Sequence, residues 1–334
     1  MNIYYLLVIL VTLNIFLFIY HDLISSKINI YDYPGHRKQH KLKTALFGGF
    51  IIFTNFIIIS ICYFTEFKNL LFPENYFFNE RSFYIFIFSA VSFFLIGLYD
   101  DKYHLNAYTR LFLSIIIMTL LITLDSSLLI EKLKFSQISS NIFLENFSYI
   151  FSIFSFMLFI NAANMYDGIN LQSGIYFIVI FIYVSLYTSI FLLLSLLIIP
   201  LLTYLILNFK NKVFLGDSGV YLVSFIISYS IVKTYNIDLT FTADQIFLIM
   251  MLPGIELLRL SIIRILNGKN PFSGDRNHLH HYLIDKTNLL NTNLILLFFV
   301  AGPLLLYSYV NSIFIVMGFL ICYIITILSC RRKT

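Results

Sequence analysis

The chain has 334 residues, of which 59% are hydrophobic and 12% are charged, and its formal net charge is +5. A soluble domain of this length cannot bury so much apolar surface, and the short alternating segments of a membrane β-barrel are absent, so both classes are excluded. The composition predicts an all-α polytopic membrane protein, with residues 1–334 forming a single membrane domain. The positive charge requires no nucleic-acid partner, because anionic headgroups and membrane topology account for it.

Apolar runs of the length of membrane helices, roughly 20 residues each, divide the chain from end to end. The first run has no basic residue before it and no small-residue cleavage site after it, so it predicts a retained span and not a signal peptide. The sixth and seventh runs are separated only around Tyr187, so the total is ten or eleven transmembrane helices. The runs lie near residues 3–20, 45–64, 83–99, 111–124, 147–163, 174–187, 188–207, 218–235, 244–264, 293–309 and 311–329.

Basic residues are divided unevenly between alternate loops. If the loop after the first span is cytoplasmic, that side receives 17 of the 22 Lys and Arg residues and the other side receives 5. The positive-inside rule then predicts a periplasmic N-terminus and a cytoplasmic C-terminus. Cys62, Cys322 and Cys330 have no metal-ligand spacing, and two of them lie within apolar runs, so we expect packing roles for them.

Four polar segments interrupt the apolar sequence, each at the boundary of a predicted span. They are residues 97–110, 161–174, 214–219 and 275–281. The division of basic residues places all four on the cytoplasmic side. Acidic, amide and imidazole groups gathered there beside basic residues predict a site for a metal ion and an anionic substrate.

Carboxylates mark the first and third polar segments. Asp100 and Asp101 are adjacent and repel each other unless a cation or a proton intervenes, although a solvated loop pair is the plainer interpretation. Asp217 lies in the string GDSG before a span, where Asp217 or Ser218 is a candidate helix N-cap. Capping and catalysis are compatible, because a helix N-terminus also offers backbone N–H groups to a phosphate.

The second segment predicts a polar stripe on one helix. Asn161, Asn164 and Asp167 are spaced i, i+3 and i+6, which places them roughly along one face. Such a face is costly in lipid, so we expect it to look into a water-filled cleft. The alternative is a helix C-cap that ends at Gly168.

The fourth segment carries three imidazoles. His278, His280 and His281 follow Arg276 in a basic loop that runs from Asn267 to about residue 291. No cysteine joins them, so hard-cation chemistry, with the imidazoles and Arg276 as partners of phosphate, fits better than zinc. An ordinary surface loop is the alternative.

The order of these motifs resembles a known enzyme family. The strings DYPGHRKQHKLKTALFGG, GLYDDKYHLNAYTR, NAANMYDGIN, FLGDSG and NPFSGDRNHLHHYL are similar to those of the polyprenyl-phosphate N-acetylhexosamine-1-phosphate transferases, in glycosyltransferase family 4. The similarity is greatest to the bacterial branch that begins O-antigen, enterobacterial common antigen and teichoic acid linkage units. The string DRNHLHH favours the N-acetylglucosamine-type initiators over the muramoyl-pentapeptide branch, which typically has three consecutive histidines there.

The resemblance implies that N-acetylhexosamine-1-phosphate, most readily GlcNAc-1-phosphate, passes from a UDP-sugar to undecaprenyl phosphate with release of UMP. It implies a site on the cytoplasmic face of the bacterial inner membrane, membrane lipids as partners, and leaves a homodimer open. Mg²⁺ is the expected cofactor, with Mn²⁺ as the alternative, and its expected ligands are Asp217, Asp167 and Asn164. A phosphate monoester with a second pKa of about 6 is mainly dianionic at neutral pH, so we expect direct attack in one step, without an essential base.

The same resemblance assigns candidate residues. The expected catalytic residues are Asp100, Asp101, Asp167, Asp217, His278, His280 and His281. The expected substrate-binding residues are Lys38, His40, Asn161, Asn164, Asn170, Arg110 and Arg276. Lys43, near the second span, is a further candidate for attracting the acceptor phosphate.

The chain departs from the family pattern at three places. Between His40 and Gly48 the usual proline is missing, and the chain reads Lys43, Thr44 and Ala45. After Asp167 and Gly168 the family usually continues with a second Asp and a Gly-Leu pair, where this chain reads Ile169, Asn170, Leu171 and Gln172. Glu256 stands where the initiators usually carry Asp.

Three alternatives remain open from the sequence. Within the family they are a phospho-N-acetylmuramoyl-pentapeptide transferase of peptidoglycan synthesis, and an initiator that uses N-acetylfucosamine or N-acetylgalactosamine. From another class, an ion-coupled transporter would place carboxylates near the bilayer midplane and show two related halves. Neither transporter feature is present in the sequence.

Overall fold

The computed structural model describes residues 3–34, 43–74, 76–77, 79–237 and 240–330. Helices dominate this part of the chain, as the composition predicts. In chain order they are α1 (Ile3–Ile19), α2 (His21–Ile28), α3 (Gly48–Ile61), α4 (Lys68–Leu71), α5 (Glu80–Tyr103), α6 (Ala107–Leu124), α7 (Ser148–Tyr166), α8 (Gln172–Ser185), α9 (Phe191–Phe209), α10 (Gly216–Ile237), α11 (Ala243–Leu266), α12 (Leu279–Ile284), α13 (Leu289–Leu306) and α14 (Ser312–Cys330).

Eight of the described helices are long and apolar enough to cross a membrane, and a ninth span results if α1 and α2, bent by 72°, are counted together. Two shorter apolar helices, Gly48–Phe64 and Gln172–Ser185, coincide with the second and sixth predicted runs. The runs 174–187 and 188–207 are separate helices, α8 and α9. The prediction of an all-α polytopic membrane protein is confirmed, with eight or nine full spans in the described residues where the sequence indicated ten or eleven.

Short strands tie together the loops at one end of the bundle. β1 (Tyr31–Asp32) pairs antiparallel with β2 (Thr44–Leu46), and a later strand, Val213–Phe214, pairs parallel with β2. A second small sheet joins β3 (Lys132–Leu133) to β4 (Ile142–Phe143), so Val213–Phe214 is β5. The first sheet fixes the segment that enters α10.

Helix α10 is the centre of the bundle. Of the residues in its most apolar 18-residue window, 89% are buried, which is the largest share among the eight full spans in the described chain. It packs against α5, α7, α3 and α8. Aromatic side chains fill the contact with α5, where Phe93 stacks on Phe225 at 5.0 Å between ring centroids. A helix surrounded on all sides fixes the direction of the residues at its ends.

Two glycines bring the neighbouring helices close to the start of α10. A Cβ added to Gly97 would lie 2.5 Å from the carbonyl group of Asp217, and one added to Gly49 would lie 2.6 Å from the backbone nitrogen of Gly219. The amide N–H of Gly49 also donates to the carbonyl of Leu215 at 2.9 Å. The N-terminal turn of α10 is therefore held by backbone on two sides.

A buried ion pair holds the opposite end of α10. Nζ of Lys233 lies 2.9 Å from Oδ2 of Asp125, and their side chains are 0% and 3% exposed. Lys233 also donates to the hydroxyl of Tyr229 at 3.0 Å, and the amide of Asn236 donates to the carbonyl of Ser127 at 2.7 Å. These contacts fasten the segment after α6 to α10.

Candidate active site

The four polar segments converge on two adjoining cavities at one end of the bundle. The larger, of about 570 Å³, lies beside the N-terminus of α10, and the smaller, of about 290 Å³, lies between α6, α7, α11 and the histidine segment. Asp167, Gly168 and His281 line both cavities. The convergence predicted from the span boundaries is therefore present in the fold.

The linings of the two cavities differ in charge. The larger cavity is lined by the carboxylates Asp32, Asp100, Asp101, Asp167 and Asp217, with amides from Asn170, Asn208 and Asn211. The smaller cavity is lined by Arg110, Arg264, Asn161, Asn164, His278, His280 and His281. An acidic chamber thus meets a basic one at Asp167.

Asp101 fastens α5 to the N-terminus of α10. Its Oδ1 accepts the backbone N–H of Asp217 at 2.7 Å, and its Oδ2 accepts that of Ser218 at 3.1 Å. These N–H groups have no partner inside their own helix, and a carboxylate there is also favoured by the helix dipole. The backbone N–H groups that the sequence suggested for binding a phosphate at this helix end therefore already donate to Asp101.

Arg110 links two of the other acids. Its guanidinium donates to Oδ2 of Asp100 at 2.6 Å and lies 3.7 Å from Oδ2 of Asp217. The side chain of Asp100 is only 4% exposed, whereas that of Asp217 is 33% exposed. Asp100 is therefore committed to an internal ion pair, while Asp217 presents its carboxylate to the cavity.

The polar stripe of α7 has the predicted orientation. Asn161, Asn164 and Asp167 all line the smaller cavity. The amide of Asn164 donates to Oδ1 of Asp217 at 2.6 Å, and the hydroxyl of Ser173 donates to Oδ1 of Asp167 at 2.5 Å. Burial raises the pKa of Asp167 to about 6, an effect that Ser173 opposes and the charge of Asp101 reinforces.

Gly168 is required by packing and not by helix termination. Helix α7 ends at Tyr166, and Gly168 is not among the described glycines with positive φ, so the C-cap alternative does not explain it. The imidazole of His280 instead fills the space that a side chain on residue 168 would take. In the loop between α7 and α8 the residue with positive φ is Leu171, at 71°. Its N–H donates to Oδ1 of Asn208 at 2.6 Å.

The histidines lie on and beside a short helix within the predicted loop. His280 and His281 belong to α12, and His278 is the residue before it. Burial lowers the pKa of His278 to about 4, and it also lowers the pKa of His280 and His281. Nearby arginines add to the effect, and the carboxylate of Asp275 opposes it at His278 and His281. The three rings are therefore neutral near pH 7, and each offers one N–H donor.

A buried carboxylate on α11 positions α12. Oε2 of Glu256 accepts the N–H of Leu279 at 2.9 Å, and Oε1 accepts from Arg259 and from the hydroxyl of Tyr323 on α14. Arg259 in turn donates to the carbonyl of Asn277 at 2.7 Å. Glu256, which departs from the family pattern, thus caps α12 from another helix.

The remaining predicted residues lie in different settings. Asn170 lines the larger cavity and donates to Oδ1 of Asn211 at 2.6 Å. Arg276 lines neither cavity, and its guanidinium lies 3.9 Å from Asp285. Lys38 and His40 fall outside the described residues, while Lys43 lies over the ring of Tyr31 at 4.8 Å from its centroid.

Several residues of the site carried no assigned role in the sequence analysis. Arg264, 3% exposed, donates to Asp275 at 2.7 Å and lines the smaller cavity. Asn208 holds the loop after α7, and Gln172 contacts His280. An arginine at the end of an apolar run is the signal that could have indicated Arg264, because such a group is rarely buried without a partner.

The donor set fits a hard divalent cation. Asp167 and Asp217 line the larger cavity with Asp100 and Asp101, and Asn164, whose amide donates to Oδ1 of Asp217 at 2.6 Å, lines the smaller one. Several carboxylates around one cavity favour a bound cation. Within the described part of the chain, no three His, Cys, Asp or Glu side chains are arranged to hold a metal ion by themselves. Mg²⁺ suits such a site, because it usually binds one or two carboxylates and completes its shell with water and substrate phosphates.

Fold and site together define a multi-pass membrane protein with an acidic and a basic chamber at one end of its spans. The family model for glycosyl transferase family 4 matches residues 83–235, the stretch that contains Asp100, Asp167 and Asp217. Over this stretch, a little under half of its length, the chain is similar to glycosyl transferase family 4, and it is an enzyme.

Curated relatives cover most of the chain. An undecaprenyl-phosphate alpha-N-acetylglucosaminyl 1-phosphate transferase of Haemophilus influenzae is 28% identical over 326 residues, covering 92% of this chain and 88% of the relative. Proteins of the same name from Salmonella typhi and Escherichia coli K12 are each 25% identical, covering 81% and 78% of this chain and 73% and 71% of the relatives.

Proposed function

We propose that this protein transfers N-acetylhexosamine-1-phosphate, with GlcNAc-1-phosphate as the first choice, from a UDP-sugar to undecaprenyl phosphate, releasing UMP. The observation that carries the proposal is the junction of an acidic and a basic chamber at Asp167, at the end of membrane-spanning helices. Two anionic reactants meet there only if cationic groups screen them. The names of the curated relatives describe this class of reaction.

The two chambers suggest a division of labour. Arg110, Arg264 and the N–H groups of the histidines suit the diphosphate of the nucleotide-sugar, because cations and neutral donors both bind phosphate oxygens. The acidic chamber suits a cation and the acceptor phosphate beside it. Mg²⁺ held by Asp217, Asp167 and Asn164 would neutralise charge on the phosphate groups.

In the reaction, an oxygen of the acceptor phosphate attacks the β-phosphorus of the donor. A new P–O bond forms, the bond from the β-phosphorus to the bridging oxygen breaks, and UMP leaves with that oxygen and the electron pair. Asp100 is buried and paired with Arg110 at 2.6 Å, an arrangement suited to positioning rather than to attack or proton removal. Asp101 acts through the N-terminus of α10, where it fixes the backbone of Asp217.

We place the reaction on the cytoplasmic face of a bacterial inner membrane, where it would begin a lipid-linked glycan such as O-antigen of lipopolysaccharide. The excess of basic residues on that side of the chain supports this orientation. The muramoyl-pentapeptide donor is the alternative within the family. The DRNHLHH string argues against it.

The test is UMP release by the purified full chain in detergent, with Mg²⁺ and undecaprenyl phosphate. UDP-GlcNAc, UDP-GalNAc and UDP-MurNAc-pentapeptide are offered separately. We expect UMP with UDP-GlcNAc, lost on Asp217→Ala and retained by the control Asp22→Asn, whose side chain is 76% exposed and lies outside both cavities. UMP release only with the pentapeptide donor would assign the protein to peptidoglycan synthesis. Uptake of substrate into vesicles without UMP release would favour a transporter.

A further inference from the structure

His280 has one filled and one unfilled hydrogen-bonding position. Its Nδ1 lies 3.3 Å from Nε2 of Gln172, while its own Nε2 is buried with no hydrogen-bond partner among the described residues. The imidazole is 3% exposed and lines the smaller cavity. A buried ring nitrogen without a partner is unfavourable, so the unfilled position calls for an explanation.

The contact with Gln172 determines which nitrogen of His280 carries the proton. A neutral imidazole has one N–H donor and one acceptor nitrogen, and an amide nitrogen only donates. In this orientation of the Gln172 amide its nitrogen faces Nδ1, so Nδ1 accepts and the proton lies on Nε2, while the amide oxygen of Gln172 is itself buried without a hydrogen-bond partner among the described residues. Burial lowers the pKa of His280, and the charge of Arg259 lowers it further, so the ring remains neutral.

The surroundings of the unfilled nitrogen suit an anion. Nε2 is the ring atom nearest to the position that a side chain on Gly168 would take, beside Asp167 at the junction of the chambers. Arg110 and Arg264 line the same cavity. A neutral N–H among fixed cations donates to a phosphate oxygen without adding a charge that must be desolvated.

We propose that Gln172 is a positioning residue that holds His280 as its Nε2–H tautomer, and that this N–H donates to a phosphate oxygen of the nucleotide-sugar donor. The identity of the ligand rests on the proposed function, whereas the tautomer does not. Gln172 lies in the segment where the chain departs from the pattern of the family that it resembles.

The first experiment reads the tautomer directly. ¹⁵N NMR of the full chain with ¹⁵N-labelled histidine distinguishes protonated Nδ1 from protonated Nε2, and the difference spectrum against His280→Gln assigns the signals. We expect a neutral Nε2–H ring in the wild type and loss of that preference in Gln172→Leu. A Nδ1–H ring or an imidazolium in the wild type would overturn the proposal.

The second experiment separates tautomer control from packing. Gln172→Leu keeps the approximate volume, and in His280→Gln an amide nitrogen replaces Nε2 with no tautomer to select. We expect Gln172→Leu to weaken UDP-GlcNAc binding, measured by calorimetry, by about tenfold in the wild-type background. In the His280→Gln background the same change should weaken UDP-GlcNAc binding by less than about twofold.

An equal loss of affinity in both backgrounds would identify Gln172 as a packing residue and refute the proposal. Size-exclusion chromatography in detergent confirms that each variant is folded before binding is measured. Absence of UMP release by the wild type with every donor would overturn the proposed function and the ligand together. The NMR measurement would still decide whether Gln172 sets the tautomer.

Discussion

Replacing Gly97 with alanine tests whether the close approach of α5 sets the position of Asp217. The added Cβ would lie 2.5 Å from the carbonyl carbon and oxygen of Asp217 and from Cα of Ser218, where ordinary contact begins at 3.4 Å. These are backbone atoms and cannot rotate away, so the first turn of α10 must shift by about 0.9 Å. Overpacking of this kind costs about 1–3 kcal/mol, and displacing a reacting group by about 1 Å costs on the order of 100-fold in rate.

The measurement is the rate of UMP release at saturating donor and acceptor. We expect kcat of Gly97→Ala to fall by about 100-fold. Gly254→Ala is the matched control, because a Cβ there meets nothing within 4 Å, and we expect its rate to stay within about twofold of wild type. A folded, monodisperse Gly97→Ala protein with a rate within about threefold of wild type would show that helix contact does not position Asp217.

Three further outcomes follow from the site and the bundle. Asp100→Asn should retain activity within about tenfold at high pH, because the acceptor phosphate is already dianionic; a much larger loss there would establish a base or nucleophile. Lys233→Met should lower the free energy of unfolding by about 3–5 kcal/mol, seen as a lower melting temperature that Asp125→Leu partly restores, and an unchanged melting temperature would contradict the ion-pair argument. Removing divalent cations with EDTA should abolish UMP release and adding Mg²⁺ should restore it, whereas activity that survives EDTA would argue against a metal-dependent reaction.

Local spacing predicted part of the site well. The interval of three residues places Asn161 and Asn164 on one face of α7, and Asp167, the residue after the helix, lines the same cavity. The span boundaries also predicted that the four polar segments would meet, because the ends of membrane-spanning helices on one side of the membrane lie at the same depth. These inferences needed no knowledge of which helices are neighbours.

Contacts between distant segments were beyond the sequence pattern. Asp101 meets the backbone of Asp217, 116 residues later in the chain, and Glu256 caps α12 from another helix. In the sequence Lys233 was only one of the basic residues counted to predict the membrane orientation. In the structure its side chain is fully buried against Asp125. Each of these depends on helix pairing, which periodicity does not determine.

The seclusion of α10 has a consequence for biogenesis. Its best window has a mean hydropathy of 1.3, the lowest of the eight full spans in the described chain, although its buried share is the highest. Of these spans, α10 therefore gains the least from partitioning into lipid by itself. Its main packing partner α5 is synthesised earlier, so that surface is already in the bilayer when α10 leaves the ribosome. Loss of Phe86 or Phe93 from α5 is therefore expected to appear as defective insertion and rapid degradation of the chain, before any turnover is measured.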